Sequence, residues 1–210
     1  MTKSVLISIR PRWIEKIARG EKTIEVRKSR PKLDTPFKCY IYCTRSTDHP
    51  AGWLGCYDHD YHKFGLISPL NIEAGKHMNI EVVSGMVVGE FTCDHIYQYT
   101  TMAIKDGTDI CDEDMERLSC LTHRELVDYE ASSMKGEGLW YFGLYGWHIT
   151  DLKIYDEPKG LSSFASTDYI SAWKEYAACE ERFGTLMDVV LPDQFHYRIK
   201  RPPQSWCYVV

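Results

Sequence analysis

Residues 4–28 read SVLISIRPRWIEKIARGEKTIEVRK, and the reading of this stretch decides the rest. Ser4 to Ile9 is a short apolar run of the length of a buried strand. Pro11 follows where a helix can begin, because the first helical position needs no amide partner. Trp13, Ile14, Ile17 and Ala18 repeat at helical spacing, and Gly20 is a natural left-handed stop. From Thr23 to Arg27 the pattern alternates, with Ile24 and Val26 on one face and Thr23, Glu25 and Arg27 on the other. The opening is therefore strand, short helix, tight turn and a half-buried second strand.

Working outward, Lys38–Cys43 and Met86–Thr92 are further strand candidates, rich in Tyr, Val, Ile and Phe. Between them 46–85 is heavy in Gly, His, Asp and Tyr and reads as an excursion of unassigned structure. Asp112–Leu118 and Thr122–Tyr129 read as two short helices, the second opened by Thr122 with Glu125 three residues on, a capping box. Trp140–Tyr155 is a long aromatic strand region, read as a bent pair of strands. Tyr169, Ile170, Trp173, Tyr176 and Ala177 recur at helical spacing within Asp168–Arg182, and Ser205–Val209 is a last short strand. Short strands with interposed helices suit an α+β fold. No repeat, low-complexity tract or long linker divides the 210 residues, so a single domain over 1–210 is expected, with elaborations around 46–85 and 165–195.

Composition narrows the function classes. The hydrophobic fraction is 44%, and no stretch approaches the roughly 18 apolar residues of a membrane span. The six-residue apolar run near the N-terminus is too short for a signal-peptide core, so a cytoplasmic location is expected. Eight Cys in a reducing compartment are core thiols, metal ligands or reactive groups rather than a disulfide framework. A net charge of −5 argues against non-specific coating of nucleic acid, whose affinity comes mostly from neutralising phosphates. The distribution is more informative. Arg10 to Lys32 holds nine Lys or Arg against three Glu, whereas Lys105 to Glu130 holds nine carboxylates against three basic residues. The molecule is electrically polar, with its positive end at the opening motif.

The segment most specific for chemistry is Gly20-Glu21-Lys22-Thr23-Ile24-Glu25-Val26-Arg27. It brings a cation, a carboxylate and a guanidinium together at the end of a rigid element. Such a group can grip a phosphate through Arg27 while Lys22 and Glu25 face a base, sugar or scissile bond, or it can be a solvated salt bridge. Cys39, Cys43, His49, Cys56, His59 and His62 form a second constellation, with His and Cys spacing reminiscent of zinc ligands but fitting no standard module, so no metal is assigned. Cys39 and Cys43 are four apart on a strand and read as core. His148 on its bulky strand reads as a structural histidine, and Cys179 and Cys207 have no identified base.

The opening segment resembles the ASCH family, named for activating signal cointegrator homology. All four fixed positions of the family's Gly-x-Lys-x-x-Glu-x-Arg signature are present, as Gly20, Lys22, Glu25 and Arg27. MVVGEF is similar to a later core strand of the family, while YGWHITDLKIYDEPKGLSSF and RPPQSWCYV resemble segments of bacterial and phage-borne members. The resemblance implies a PUA-like small β-barrel with flanking short helices and a cleft that takes RNA or a modified nucleoside. It implies binding by Lys22, Glu25 and Arg27, with Arg10 and Lys28 as outer contacts and Glu90 as an additional polar group, and no cofactor. Some members resemble N4-acetylcytidine amidohydrolases, and others are associated with ribonuclease activity. Here Lys22, Glu25 and Glu90 would be the catalytic set, although the position where the amidohydrolases hold Thr is Glu25. Trp13, Tyr40, Tyr42, Trp53, Trp140 and Trp206 are the aromatics available for base stacking. A third reading makes the acidic stretch at Asp112, Glu113 and Asp114 a protein-contact surface.

Overall fold

The computed structural model describes residues 3–45, 52–102, 107–132, 143–166 and 198–210. The expected opening is found: β1 (Ser4–Ile9), α1 (Pro11–Ala18) with Pro11 in its first turn, and β2 (Ile24–Arg27). Gly20 ends the helix at φ +73°, a conformation open to glycine without the Cβ penalty. β3 (Phe37–Cys43) follows, then the excursion, whose described part is β4 (Leu54–Asp58), β5 (Lys63–Ile67), α2 (Ile72–His77) and β6 (Ile80–Val82). The chain continues through β7 (Val87–Cys93), β8 (Ile96–Tyr99), α3 (Asp112–Ser119) and α4 (His123–Ala131). It closes with β9 (Leu144–His148), β10 (Thr150–Lys159) and β11 (Trp206–Val209). The expected helix over Asp168–Arg182 lies outside the described residues.

The fold is α+β. Five strands form the main sheet in the order β10-β7-β3-β1-β11, with β1 and β3 parallel and the other pairs antiparallel. β2-β9-β8 and β5-β4-β6 are two three-stranded sheets. Among the described residues the pairings do not close these sheets into a ring. The aromatic region after residue 142 is a bent pair, as its composition suggested. β9 and β10 are consecutive but belong to different sheets, and the amide of Ile149 at the bend donates to the Thr23 carbonyl.

Alternation explains why β1 is buried on both faces. Val5, Ile7 and Ile9 enter the main core with Ile14 and Ile17 of α1, Ile41 of β3 and the fully buried Trp147 of β9. Leu6 faces a smaller cluster with Tyr42, Val87, Phe164 and Val209. The excursion is tied to the main core, which Tyr57, Phe64 and Val83 also join. At Gly55 a Cβ would stand 2.6 Å from Cys43 Sγ and 2.8 Å from Phe64, so only glycine lets β4 approach this closely. A third cluster joins Met115 of α3 and Leu126 of α4 to Ile24, Val26, Tyr99 and Leu144. The Thr122–Glu125 capping box that opens α4 is formed reciprocally.

Cys39, Cys43, Cys56 and Cys93 are buried thiols, and Cys111 is exposed. Burial pushes Cys43 and Cys93 up to about 12 and Cys56 up to about 11, from an ordinary 9.0. The unfolded chain releases these protons first, so the thiols contribute stability that is lost as pH rises from about 9 towards 12. Thiol titration of the native protein at pH 8 is expected to label Cys111 and leave these four unreacted until denaturant is added. Labelling of Cys43 at the rate of Cys111 would contradict this packing.

Candidate functional site

On β2 the side chains alternate as the sequence indicated. Ile24 and Val26 meet α3 and α4, while Glu25 and Arg27 turn the other way towards Lys22. The strand is not half-buried, however: all four of its residues are buried, because the α3–α4 pair covers one face and the ionic network with α1 covers the other. Lys22, Glu25 and Arg27 retain only 2%, 6% and 7% of their exposure, which excludes a solvated salt bridge.

The network is nearly saturated. Lys22 Nζ donates to the carbonyls of Ile24 and Ser119, both at 2.8 Å, and stands 3.3 Å from Glu25 Oε2. Three donors thus meet three acceptors. Arg27 Nη2 donates to the Ser8 carbonyl at 2.6 Å and pairs with Glu25 Oε1 at 2.9 Å. Arg27 Nη1 reaches Ser205 Oγ at 3.3 Å. Glu25 is accordingly a carboxylate gripped by one cation on each oxygen. Burial lowers the Lys22 ammonium from its ordinary value, and the nearby Glu25 offsets only part of that shift. The α3–α4 junction is fastened to the same loop, since the Thr23 amide donates to the Leu118 carbonyl and Cys120 Sγ to that of Glu21.

The network lies at a cavity of about 680 Å³, within the range of small-ligand sites. Ser8, Ile9 and Arg10 contribute from β1 and its end, Arg12 and Trp13 from α1, and Thr44 from just beyond β3. Leu121, Glu125, Asp128, Tyr129 and Ser132 line it from α4 and its flanks, and Gln204 from the approach to β11. The Arg12 guanidinium lies 4.4 Å from the Trp13 ring centre. Among the described residues Arg12 Nε, Arg27 Nε and Thr44 Oγ1 are buried without a hydrogen-bond partner. Burial, and then the neighbouring Arg12, lower the Arg10 guanidinium from its ordinary value.

No protein-family model matches the sequence, and no curated protein matches it. Among solved structures, the chain is similar to the ASCH protein of Zymomonas mobilis, with a TM-score of 0.48 at 15% identity over 99% of this chain and 87% of that one. A tyrosine-to-phenylalanine variant of that protein gives 0.47 at 15% identity, over 100% and 91% of the two chains. A serine-to-alanine variant gives 0.47 at 14%, over 99% and 88%. The similarity is to ASCH proteins.

Of the residues singled out from the sequence, Arg10, Lys22, Glu25 and Arg27 line one cavity. Lys28 is not among the lining residues, but its Nζ donates to Ser132 Oγ and lies 4.7 Å from the Tyr129 ring centre, at the rim. Glu90, expected in the same cleft, is elsewhere. On β7 the adjacent Phe91 enters the main core, so Glu90 points to the opposite face, where it accepts from Lys38 and Tyr155. Burial pushes its carboxyl up, but those two hydrogen bonds and the Lys38 charge bring it below the ordinary value. Trp13 is the one expected aromatic in the cavity wall, and Trp140 lies outside the described residues. Cys39 and Cys43 are core thiols, and His59 Nε2 lies 3.2 Å from Glu81; His49 and Cys179 are outside the described residues. His148 Nδ1 sits 2.7 Å from Asp94. Asp112, Glu113 and Asp114 form the first turn of α3, where carboxylates stabilise the helix N-terminus. Sequence reasoning missed Arg12, Thr44, Tyr129 and Gln204. Only Arg12, inside the basic segment, carried any signal.

Two outcomes follow from the network. Lys22→Met strands two carbonyls and the Glu25 carboxylate, and denaturant unfolding should show a loss of about 3–5 kcal/mol. Arg19→Ala, which breaks the exposed pairs with Glu15 and Glu21, should cost no more than about 1 kcal/mol. Because Lys22 titrates lower when folded, the unfolded chain binds more protons between that lowered value and 10.5. The wild-type stability measured relative to Lys22→Met should therefore rise with pH across that window; a falling difference would contradict the burial of a charged Lys22.

Proposed function

We propose that the cavity beside Lys22, Glu25 and Arg27 binds single-stranded RNA or a modified nucleoside. The observation that carries this reading is that three of the four signature positions, Lys22, Glu25 and Arg27, converge on the wall of one cavity alongside the Trp13 ring. Buried ion pairs hold Glu25 and Arg27 in fixed geometry, as a recognition site requires. Trp13 and Tyr129 supply ring surface, and unstacked bases are commonly held on aromatic or guanidinium planes. The concave shape suits an extruded or single-stranded base rather than a duplex. This reading carries with it the PUA-like barrel that the signature implies.

Binding is favoured over hydrolysis in the same cleft by the way the hydrogens of Lys22 are spent. All three meet acceptors, so its amine must abandon one to attack a substrate. The Glu25 carboxylate lies between two cations, with each of its oxygens already engaged by one of them. Glu90 stands on another face and supplies no acid to this cavity.

Purified protein should bind short single-stranded RNA or members of a modified-nucleoside panel saturably, with no new mass in the recovered ligand. Trp13→Ala should weaken that binding by about tenfold or more while the melting curve stays cooperative. A product that appears with wild type and not with Lys22→Met would make the site hydrolytic. Absence of binding across both ligand sets would overturn the reading.

A further inference from the structure

The hydrogen-bonding capacity around the cavity is unevenly distributed. Lys22 and one end of Arg27 are committed to Glu25 and to backbone carbonyls. On the wall built by the ends of β1 and β3 and by α1, the remaining charged side chains are all donors. Arg27 Nη1 makes a contact of only 3.3 Å with Ser205, and Arg27 Nε has no partner among the described residues. Arg12 has no carboxylate partner there either; its guanidinium lies over Trp13, and its Nε is an orphan. Thr44 Oγ1 is a third orphan, reaching the same cavity from the end of the neighbouring parallel strand. Arg10 lies close enough to Arg12 and Arg27 for their charges to oppose its own. Three guanidinium groups and one ammonium thus line one cavity with three carboxylates, those of Glu25, Glu125 and Asp128, in a chain that is acidic overall. On the facing wall, the Glu125 carboxylate is spent on the Thr122 cap and Asp128 is turned largely to solvent.

We infer that Arg10, Arg12, Arg27 and Thr44 form an oxyanion subsite for one phosphate group, so that the ligand is a nucleotide or an RNA phosphodiester rather than an uncharged nucleoside. This deepens the RNA or nucleoside reading and rests on it. A phosphate offers acceptors only and matches a set of donors, whereas a nucleobase edge presents both kinds and fits the side where Glu25 stands. Arginine is suited to the role because its planar donors stay charged and pair with two oxygens at once. Arg12 Nε, Arg27 Nε and Thr44 Oγ1 are all shut from water as packed, so occupancy turns the Arg12 and Thr44 side chains towards the phosphate while Arg27, held by Glu25 and Ser8, offers Nη1. Arg12 lies in the first turn of α1 and Thr44 directly follows β3, so turning either side chain disturbs no strand pairing. Sequence spacing alone does not disclose the subsite, since Thr44 is 32 residues from Arg12.

The test compares cytidine, its 3′- and 5′-monophosphates, the dinucleotide CpC and inorganic phosphate by calorimetry, on wild type, Arg12→Gln and Thr44→Val. Phosphate-bearing ligands should bind wild type about tenfold or more tighter than cytidine, with an advantage that shrinks as salt is raised. That ratio should fall to about threefold or less in Arg12→Gln and decline in Thr44→Val, with both variants melting cooperatively. Equal binding of cytidine and its phosphates overturns the subsite. So does an advantage that survives both substitutions, or no binding by any phosphate-bearing ligand at millimolar concentration. Tight binding of monophosphates or inorganic phosphate with no affinity for CpC or longer RNA keeps the subsite and removes the RNA reading instead. A difference between the two monophosphates shows on which side of the sugar the phosphate is held.

Discussion

The structure turns on one carboxylate. Glu25 is buried on a short strand, where an isolated charge would be prohibitively expensive, and it is tolerated because Lys22 and Arg27 each neutralise one of its oxygens. Those two cations in turn bind the Ile24, Ser119 and Ser8 carbonyls. One ionic knot thereby joins the loop after α1, the end of α3 and β1 of the main sheet. Replacing it with apolar side chains would be energetically plausible, so its retention is better understood as fixing the geometry of the cavity than as a source of net stability.

The opening was legible because local and tertiary signals agree there. Pro11, the helical spacing of Ile14 and Ile17, Gly20 and the alternation of β2 each bear on one boundary, and each boundary is met within a residue or so. The Thr122 capping box was legible for the same reason. Burial of β2 was not, since alternating charged residues look solvated until partners nearly a hundred positions away, such as Ser119, are brought to them. Glu90 failed for a different reason. Its strand was recognised, but whether a residue faces the cavity or the opposite side depends on strand order in the sheet, which the residue pattern does not encode.

The excursion shows how an insertion can be absorbed without founding a second core. Its composition, dense in Gly, His, Asp and Tyr, marked it as an excursion, and its described strands do pair only with each other. Yet Tyr57, Phe64 and Val83 enter the main core, and the absent side chain of Gly55 is what makes room for Cys43. Cys43, which its place on a strand marked as a core thiol, is therefore a packing element that holds the insertion against the sheet.

The pairing of β11 with β1 bears on how the site comes into being. Ser8 is bonded through its amide to the Ser205 carbonyl and through its hydroxyl to that of Pro203, while Ser205 also touches Arg27. Residues separated by nearly two hundred positions must meet before β1 has both neighbours. On a ribosome β1 would wait with an open apolar edge while the residues up to β11 are made, a long interval of exposure to wrong partners. The wall carrying Arg27 is thus completed only once β11 has emerged, so partially synthesised chains would carry the signature motif without the pocket that gives it meaning.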